Sequence, residues 1–506
     1  MELQDLNVVV VGAGIGGLAA GALLARKGAV VTVLEAQDYP GGCAATFSRG
    51  GYRFDAGATV GCGFHSGGPM DILGRELDIV WPVMPEPVAW QYRHNAFVLN
   101  LSANRSEIID RFPHSKDFWT EQAALAKLLW RLAEGGLSWP AKGPHDLAIL
   151  ARKGLAELPG TVHLLKHASS TARDWIASHG LDSDQDFVRF IDSQLLISVQ
   201  TTSQFANAVN AAIALDLPAS GAYSVNGGIG RVAELLADSI VKNGGAVLYD
   251  KKVIRIDSVR KQVFGLETSD GSAIAADFVL ANLTPTSLYQ LTEEEIDVDH
   301  ADDTHDHDDT RGGVIKSVSP EWSAFVLYLG MDPALFNELP TRHVQIVDSS
   351  GELAEAHSIF VSASKAEEQG RAPEGLGAVT VSTHARAEQW FDARARGDAD
   401  YTELKRVYTE RVLDLFSEQF PSAREAVRSV TAATPVTWEH YTGRYHGCVG
   451  GYAQTSLFKV RGPLTRFDNL MLVGDSIFPG QSLPGVVTGA RRAVELVGRQ
   501  AAKSRG

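Results

Sequence analysis

A chain of 506 residues is too long for one compact core and predicts two domains. Its net charge of −15 excludes nucleic acid as the natural partner. At 44% hydrophobic and 21% charged residues it has a soluble globular composition, and its three scattered cysteines (Cys43, Cys62, Cys448) form neither a disulfide framework nor a zinc site and predict a reducing cytoplasm.

The acidic start, Met1-Glu2-Leu3-Gln4-Asp5, has no signal-peptide pattern and runs straight into a strand, Asn7 to Val11. Gly12-Ala13-Gly14-Ile15-Gly16-Gly17 follows at once. A helical pattern runs from Leu18 to Lys27, and a second strand, Val30 to Leu34, ends at Glu35. Strand, glycine turn, helix, strand and terminal acid form the dinucleotide-binding fingerprint in its proper context. Gly12 turns the chain off the strand. Gly14 keeps bulk away from a pyrophosphate, and Gly17 lets the helix lie close to the sheet. The helix N-terminus offers free N–H groups and positive dipole to phosphates. Glu35 is the expected acceptor for adenosine ribose hydroxyls.

Glu35-Ala36 is followed by Tyr39-Pro40-Gly41-Gly42-Cys43-Ala44 and then by Gly51-Tyr52-Arg53-Phe54-Asp55-Ala56-Gly57-Ala58-Thr59. This run resembles the extended FAD fingerprint of the flavin amine oxidase and phytoene desaturase superfamily. The resemblance implies that Gly41 and Gly42 let a second loop close over the pyrophosphate, and that Cys43, Ala44, Gly57, Ala58 and Thr59 also line the FAD site. Many members carry Arg where Cys43 stands, which removes a charged phosphate contact here. GGCA followed by GYRFDAGAT looks most like carotenoid desaturases and carotene isomerases.

Residues 61–100 read as irregular, rich in glycine and proline, with a strand at Phe97 to Leu101. Residues 104–215 read as mostly helix, with Leu125, Leu128, Leu129 and Leu132 at helical spacing. From Arg111 to Asp174 nine Lys/Arg face six Asp/Glu, a local excess of +3 in an acidic chain. That segment is either a helical cap with a solvated basic face or a surface that lies on an anionic membrane.

Tyr223 to Gly230 precedes a helix, Arg231 to Asn243, and then strands at 246–249, 252–256, 263–267 and 277–281. The glycines here follow no clear strand and have no acid at the right distance, so they make a poor second nucleotide site. By resemblance, the segment returns the chain to the FAD domain and sets Val253 against the adenine through backbone groups. Residues 293–309 hold ten acids and three histidines without a basic residue. They read as a disordered, solvated loop, with a weak divalent-metal site as the alternative. Strands at 324–330 and 378–382 and an amphipathic helix from Tyr401 to Phe416 resume the folded pattern.

The C-terminal strand Leu470 to Val473 leads into Gly474-Asp475-Ser476-Ile477-Phe478-Pro479-Gly480-Gln481-Ser482-Leu483-Pro484-Gly485 and a helix from Val486 to Ala501. By resemblance, Asp475 bonds the flavin ribityl hydroxyls, Gly474, Gly480, Ser482, Leu483 and Val486 complete the site, and the last helix aims its N-terminus at the flavin pyrimidine edge.

The resemblance covers essentially the whole chain. It implies an α/β fold with a Rossmann-type FAD domain (1–100, 223–285 and 436–506) and a sheet-plus-helices substrate domain (101–222 and 286–435) whose helical part faces a membrane. No Ser-His-Asp arrangement, CxxC or metal-ligand spacing stands out, and no catalytic residue is assigned. His65, His94, His163, His167, His343, His440 and His446 share no motif. His440, Tyr441, Arg444 and Tyr445 precede the C-terminal loop and are candidates to line the cavity. The surroundings of Cys448 do not match the pattern of covalent flavin attachment.

The function implied is desaturation of a linear carotenoid, possible at the 3',4' bond, with oxygen or a quinone reoxidising FAD. The enzyme would sit peripherally on the inner face of the cell membrane. Alternatives are a carotene cis–trans isomerase using reduced FAD, a flavin amine oxidase, and a flavoprotein that binds without catalysing.

Overall fold

A computed structural model describes residues 3–95, 97–133, 138–292, 322–349, 352–364, 368 and 370–504. The acidic stretch 293–309 lies outside them. Five parallel strands form the first sheet, in the order Ala246–Leu248, Val30–Leu34, Asn7–Val11, Phe278–Ala281, Leu470–Leu472. The NVVVV run sits at its centre and is buried on both faces, which is why it lacks polar alternation. Val8 and Val10 pack among the helices, and Val9 and Val11 face a three-stranded antiparallel sheet, Val253–Val259, Gln262–Thr268 and Ala273–Ala275. Helix Ile15–Arg26, buried from Ile15 to Ala25, lies between helices Arg231–Lys242 and Leu483–Ser504. An all-round apolar helix is what such a central position demands.

A second sheet of seven strands runs in the order Val427–Ala433, Trp322–Met331, Gly377–Arg386, Ser358–Ala363, His343–Val347, Trp90–His94, Phe97–Leu101. One face buries Phe325, Leu327, Val379 and Val381 against Trp390, Tyr408 and Phe416 of helices Glu388–Arg396 and Asp398–Gln419. The last two strands precede residue 101 or end at it, yet they close the edge of this sheet, not of the dinucleotide sheet. Trp90, Tyr92, Leu99 and Leu101 drive that placement by packing against helix Gln185–Val199, whose Phe190 meets the Tyr92 ring edge-on at 5.1 Å.

The stretch 61–100 is more ordered than its composition suggests. It holds helix Pro69–Leu77 and strands Gly61–Cys62, Val83–Glu86 and Trp90–His94. Pro85 is tolerated because Val83–Glu86 is an edge strand. Residues 106–133 and 144–220 form the expected helical region, with Lys116–Ala133, Gln185–Val199 and Ala208–Ala214 packed together.

The glycine run before helix Arg231–Lys242 is closed by the protein itself. Asp55 Oδ1 accepts from the Ile229 N–H at 3.0 Å, and Thr46 Oγ1 accepts from the Gly230 N–H at 2.8 Å. Asp55 also holds the buried Arg371 guanidinium at 2.9 and 3.1 Å. The GYRFDAGAT motif therefore ties the two sheets together through a buried ion pair. Removing one partner of such a pair costs about 3–5 kcal/mol.

Candidate active site

One cavity of about 1160 Å³ spans the two sheets. At one end it meets the fingerprint loop. Every residue expected to bind the cofactor lines it except Ala13, Gly17 and Gly480. Those three act one step back. The Ala13 N–H donates to Glu35 Oε2 at 2.7 Å. A Cβ on Gly17 would lie 2.6 Å from the Gly12 carbonyl oxygen and 3.0 Å from Val10, so the glycine is what brings the helix onto the sheet. A Cβ on Gly480 would lie 2.5 Å from the Gln454 side chain.

Glu35 is 9% exposed and accepts from the Gln37 N–H at 2.9 Å as well as from Ala13. Burial pushes its pKa up, and the backbone donors pull against that shift. The acid thus shapes the loop that it shares with the nucleotide end. The double-glycine loop docks on the same point, since the Gly41 N–H donates to the Ala13 carbonyl at 2.8 Å. The following motif docks in turn, with the Ala58 N–H on the Cys43 carbonyl at 3.0 Å.

Asn282, at the tip of strand Phe278–Ala281, was not legible as a site residue. A Cβ on Gly14 would lie 2.3 Å from its Nδ2, and one on Gly474 would lie 2.7 Å from its Oδ1. Gly14 therefore makes room for Asn282, which bridges the N-terminal and C-terminal loops. The one available signal was its place at the end of a strand parallel to the fingerprint strand.

At the C-terminal loop, Asp475 Oδ1 takes both terminal nitrogens of Arg444 at 3.1 Å. Burial opposes the Arg444 charge, but the Asp475 carboxylate it is paired with outweighs that and raises the pKa. Arg444 thus brings a cation beside Cys43, where the motif itself lacks one. The Cys43 thiol is kept protonated by burial, and burial pushes the Cys62 thiol up to about 12. His440, Tyr441, Arg444 and Tyr445 all line the cavity, and Cys448 does not. Ser482 holds φ at +89°, a left-handed conformation that a non-glycine residue rarely adopts.

The residues fit a dinucleotide cofactor. Helix Ile15–Arg26 has no side-chain cap and no acid in its first turn, which leaves its N-terminus open to an anion. Trp438 Nε1 and Gln200 Oε1 lie on cavity-lining side chains and have no hydrogen-bond partner among the described residues. The volume exceeds the range of about 300–1,000 Å³ common for a single small ligand, so a second molecule has room beside the cofactor.

The far half of the cavity is built by the helices 116–220 and the second sheet. Leu129, Trp130, Leu196, Ile213, Leu217 and Phe360 line it. Among the described residues, these helices contribute polar amides and hydroxyls but no charged side chain to the lining. The charged groups, such as Glu35, Lys252, Arg444 and Asp475, belong to the nucleotide end.

A glycine-loop cradle that opens into a largely apolar chamber fits a flavoprotein oxidoreductase with room for a second molecule. The chain belongs to the flavin containing amine oxidoreductase family, whose profile matches residues 15–498. It is an FAD-dependent oxidoreductase. The resemblance to the carotenoid desaturase and isomerase group also holds over the whole chain. The chloroplastic prolycopene isomerase 2 of an Oncidium hybrid cultivar is 27% identical, across 98% of this chain and 85% of its own length. The neurosporene-forming phytoene desaturase of Rhodobacter capsulatus is 23% identical, across 97% of this chain and 94% of its own. An oxidoreductase from Methanosarcina mazei shares the fold, with a TM-score of 0.62 at 18% identity, across 97% of this chain and 100% of that one.

Proposed function

We propose that the protein desaturates a linear carotenoid, removing two hydrogens from a C–C bond that adjoins the polyene. The observation that carries this reading is the largely apolar far half of the cavity, to which the helices add no charged side chain among the described residues. A long hydrocarbon offers no hydrogen bonds, so its binding must come from walls such as Leu196, Ile213 and Phe360. The 3',4' bond is the position that the motifs favour.

The glycine loops, Glu35, Val253 and Asp475 would hold FAD without a covalent link, and FAD then supplies a two-electron acceptor for hydride. The chain's own part is to hold the polyene in place and exclude water. Loss of hydride leaves an allylic cation spread over the conjugated chain. The neighbouring proton is then acidic enough to leave to a weak acceptor such as the Gln200, Asn210 or Gln345 amide oxygen, all of which line the cavity. No strong base is required. Oxygen or a quinone would take the electrons afterwards.

A second reading, carotene cis–trans isomerisation, is supported by the 27% identity to prolycopene isomerase against 23% to the phytoene desaturase. One anaerobic assay separates the two. Oxidised enzyme is mixed with acyclic carotenoids in liposomes. A desaturase bleaches its flavin stoichiometrically and yields a product two hydrogens lighter, with absorption moved to the red. An isomerase requires prior reduction and returns a product of unchanged mass. Bleaching by a primary or secondary amine, with no response to any carotenoid, would refute both.

The substrate also implies a membrane surface, and we place it on helices Pro144–Ala156 and Gly160–His167. Leu147, Leu155, Leu158, Val162 and Leu165 cluster there in sequence and are 51–69% exposed. Exposed Arg152 and Lys166 accompany them. Among the described residues no helix is long and apolar enough to cross a membrane, so the contact would be interfacial, on the inner leaflet.

A further inference from the structure

His163 and His167, unrelated in the sequence reading, stand four residues apart on helix Gly160–His167 and reach one carboxylate on another helix, Lys116–Ala133. Glu121 Oε1 lies 2.7 Å from His163 Nε2 and 3.1 Å from His167 Nε2. The three potential ligand atoms lie within 4.8 Å of one another. The other carboxylate oxygen is already committed. Oε2 accepts from Trp175 Nε1 at 2.7 Å and contacts His179 Nε2 at 2.6 Å. That partner pair fixes the carboxylate plane and aims Oε1 at the two imidazoles. None of these side chains lines the flavin cavity.

We propose that Glu121, His163 and His167 bind a divalent transition metal, with Zn²⁺ the best match, and so pin helix Gly160–His167 to helix Lys116–Ala133. The chemistry fits in three respects. Two histidines at i and i+4 on one helix face are a known way to present two nitrogens to zinc. Two imidazoles and a carboxylate, with water in the fourth position, satisfy a tetrahedral ion. Ligands on such an ion stand about 3.3 Å apart, so the two Glu121–His distances of 2.7 and 3.1 Å must open slightly, while no pair starts more than 4.8 Å apart. Trp175 and His179 would serve as the outer hydrogen bonds that orient a metal-bound carboxylate.

An ion here takes the place of the ring protons at both Nε2 atoms, so each imidazole binds as its Nδ1–H tautomer. His167 and Glu121 are mostly buried, with side chains 4% and 16% exposed, while His163 at 40% leaves an edge open for entry. Helix Gly160–His167 buries only Leu164 and His167 of its own length. A metal anchor would therefore carry much of its attachment.

The test uses the full-length, flavin-loaded protein, stripped with a chelator and titrated with Zn²⁺ by calorimetry and with Co²⁺ by absorption to the red of the flavin bands. A second chain lacking residues 293–309 removes His300, His305 and His307, which could capture metal on their own. Both chains should bind one equivalent with the spectrum of tetrahedral Co²⁺. Glu121→Gln and His167→Gln should abolish that binding. His163→Gln, at the half-exposed edge, should do the same with the flavin spectrum intact. His179→Gln should weaken it about ten- to a hundredfold. Uptake that vanishes with residues 293–309, uptake that ignores these substitutions, or no uptake at all would overturn the proposal.

Discussion

Single residues show how the cavity divides its labour. Glu35 spends both oxygens on backbone donors and still faces the nucleotide end, so Glu35→Ala should weaken FAD binding by about 1–3 kcal/mol, read as a 5- to 150-fold rise in Kd on flavin titration. Gly14 is a sharper case. If its role is to make room for Asn282, then Gly14→Ala should lose most bound flavin, and adding Asn282→Ala should restore much of it. A double variant as empty as the single would show that the glycine matters for the cofactor's own approach instead. His384 offers a pH test. It lines the cavity, and burial drives its pKa from 6.5 down to about 4. The folded state therefore disfavours the proton that the unfolded chain accepts. Stability is full above pH 6.5 and falls as pH drops toward 4. His384→Gln should flatten that part of the pH–Tm curve.

Whole elements explain what could and could not be read from the chain. Strands at 7–11 and 30–34 and the helix between them follow local rules of period and turn, and they sit where those rules put them. The C-terminal strand and helix were legible for the same reason. Strands Val83–Glu86 and Trp90–His94 were hidden, because Pro85 and the polar residues Gln91, Arg93 and His94 break the apolar pattern. Among the described residues Val83–Glu86 pairs only with Ala222–Val225, and Trp90–His94, beside its hairpin partner Phe97–Leu101, joins the sheet through His343–Val347. The Arg444–Asp475 pair, the Asn282 bridge and the Glu121 cluster were illegible because each depends on side chains meeting across separate elements. One element-level expectation changes in detail. Lys153, in the basic segment, donates to the Leu132 carbonyl at 3.0 Å and is less free than its sequence suggests. Arg152 and Lys166 are the better probes. Reversing both to Glu should sharply reduce cosedimentation with anionic liposomes, and raising salt should weaken the parent protein's binding. Equal binding by the variant would move the membrane contact elsewhere.

At the scale of the molecule, the parallel sheet is gathered from three distant stretches, 7–34, 246–281 and 470–472. Strand Leu470–Leu472 forms its edge, and helix Leu483–Ser504 packs on Ile15–Arg26, so the last part of the chain lies against the first. During synthesis the fingerprint emerges several hundred residues before its Asp475 counterpart. The fingerprint must therefore wait for residues 470–504 before its pocket can close. Through that interval the apolar lining lacks its final neighbours, which leaves the nascent chain prone to aggregate and delays flavin loading until the C-terminal loop is made. Chains stopped at residue 465 should leave the ribosome without flavin and aggregate, and adding FAD during synthesis should rescue only chains that carry residues 466–504.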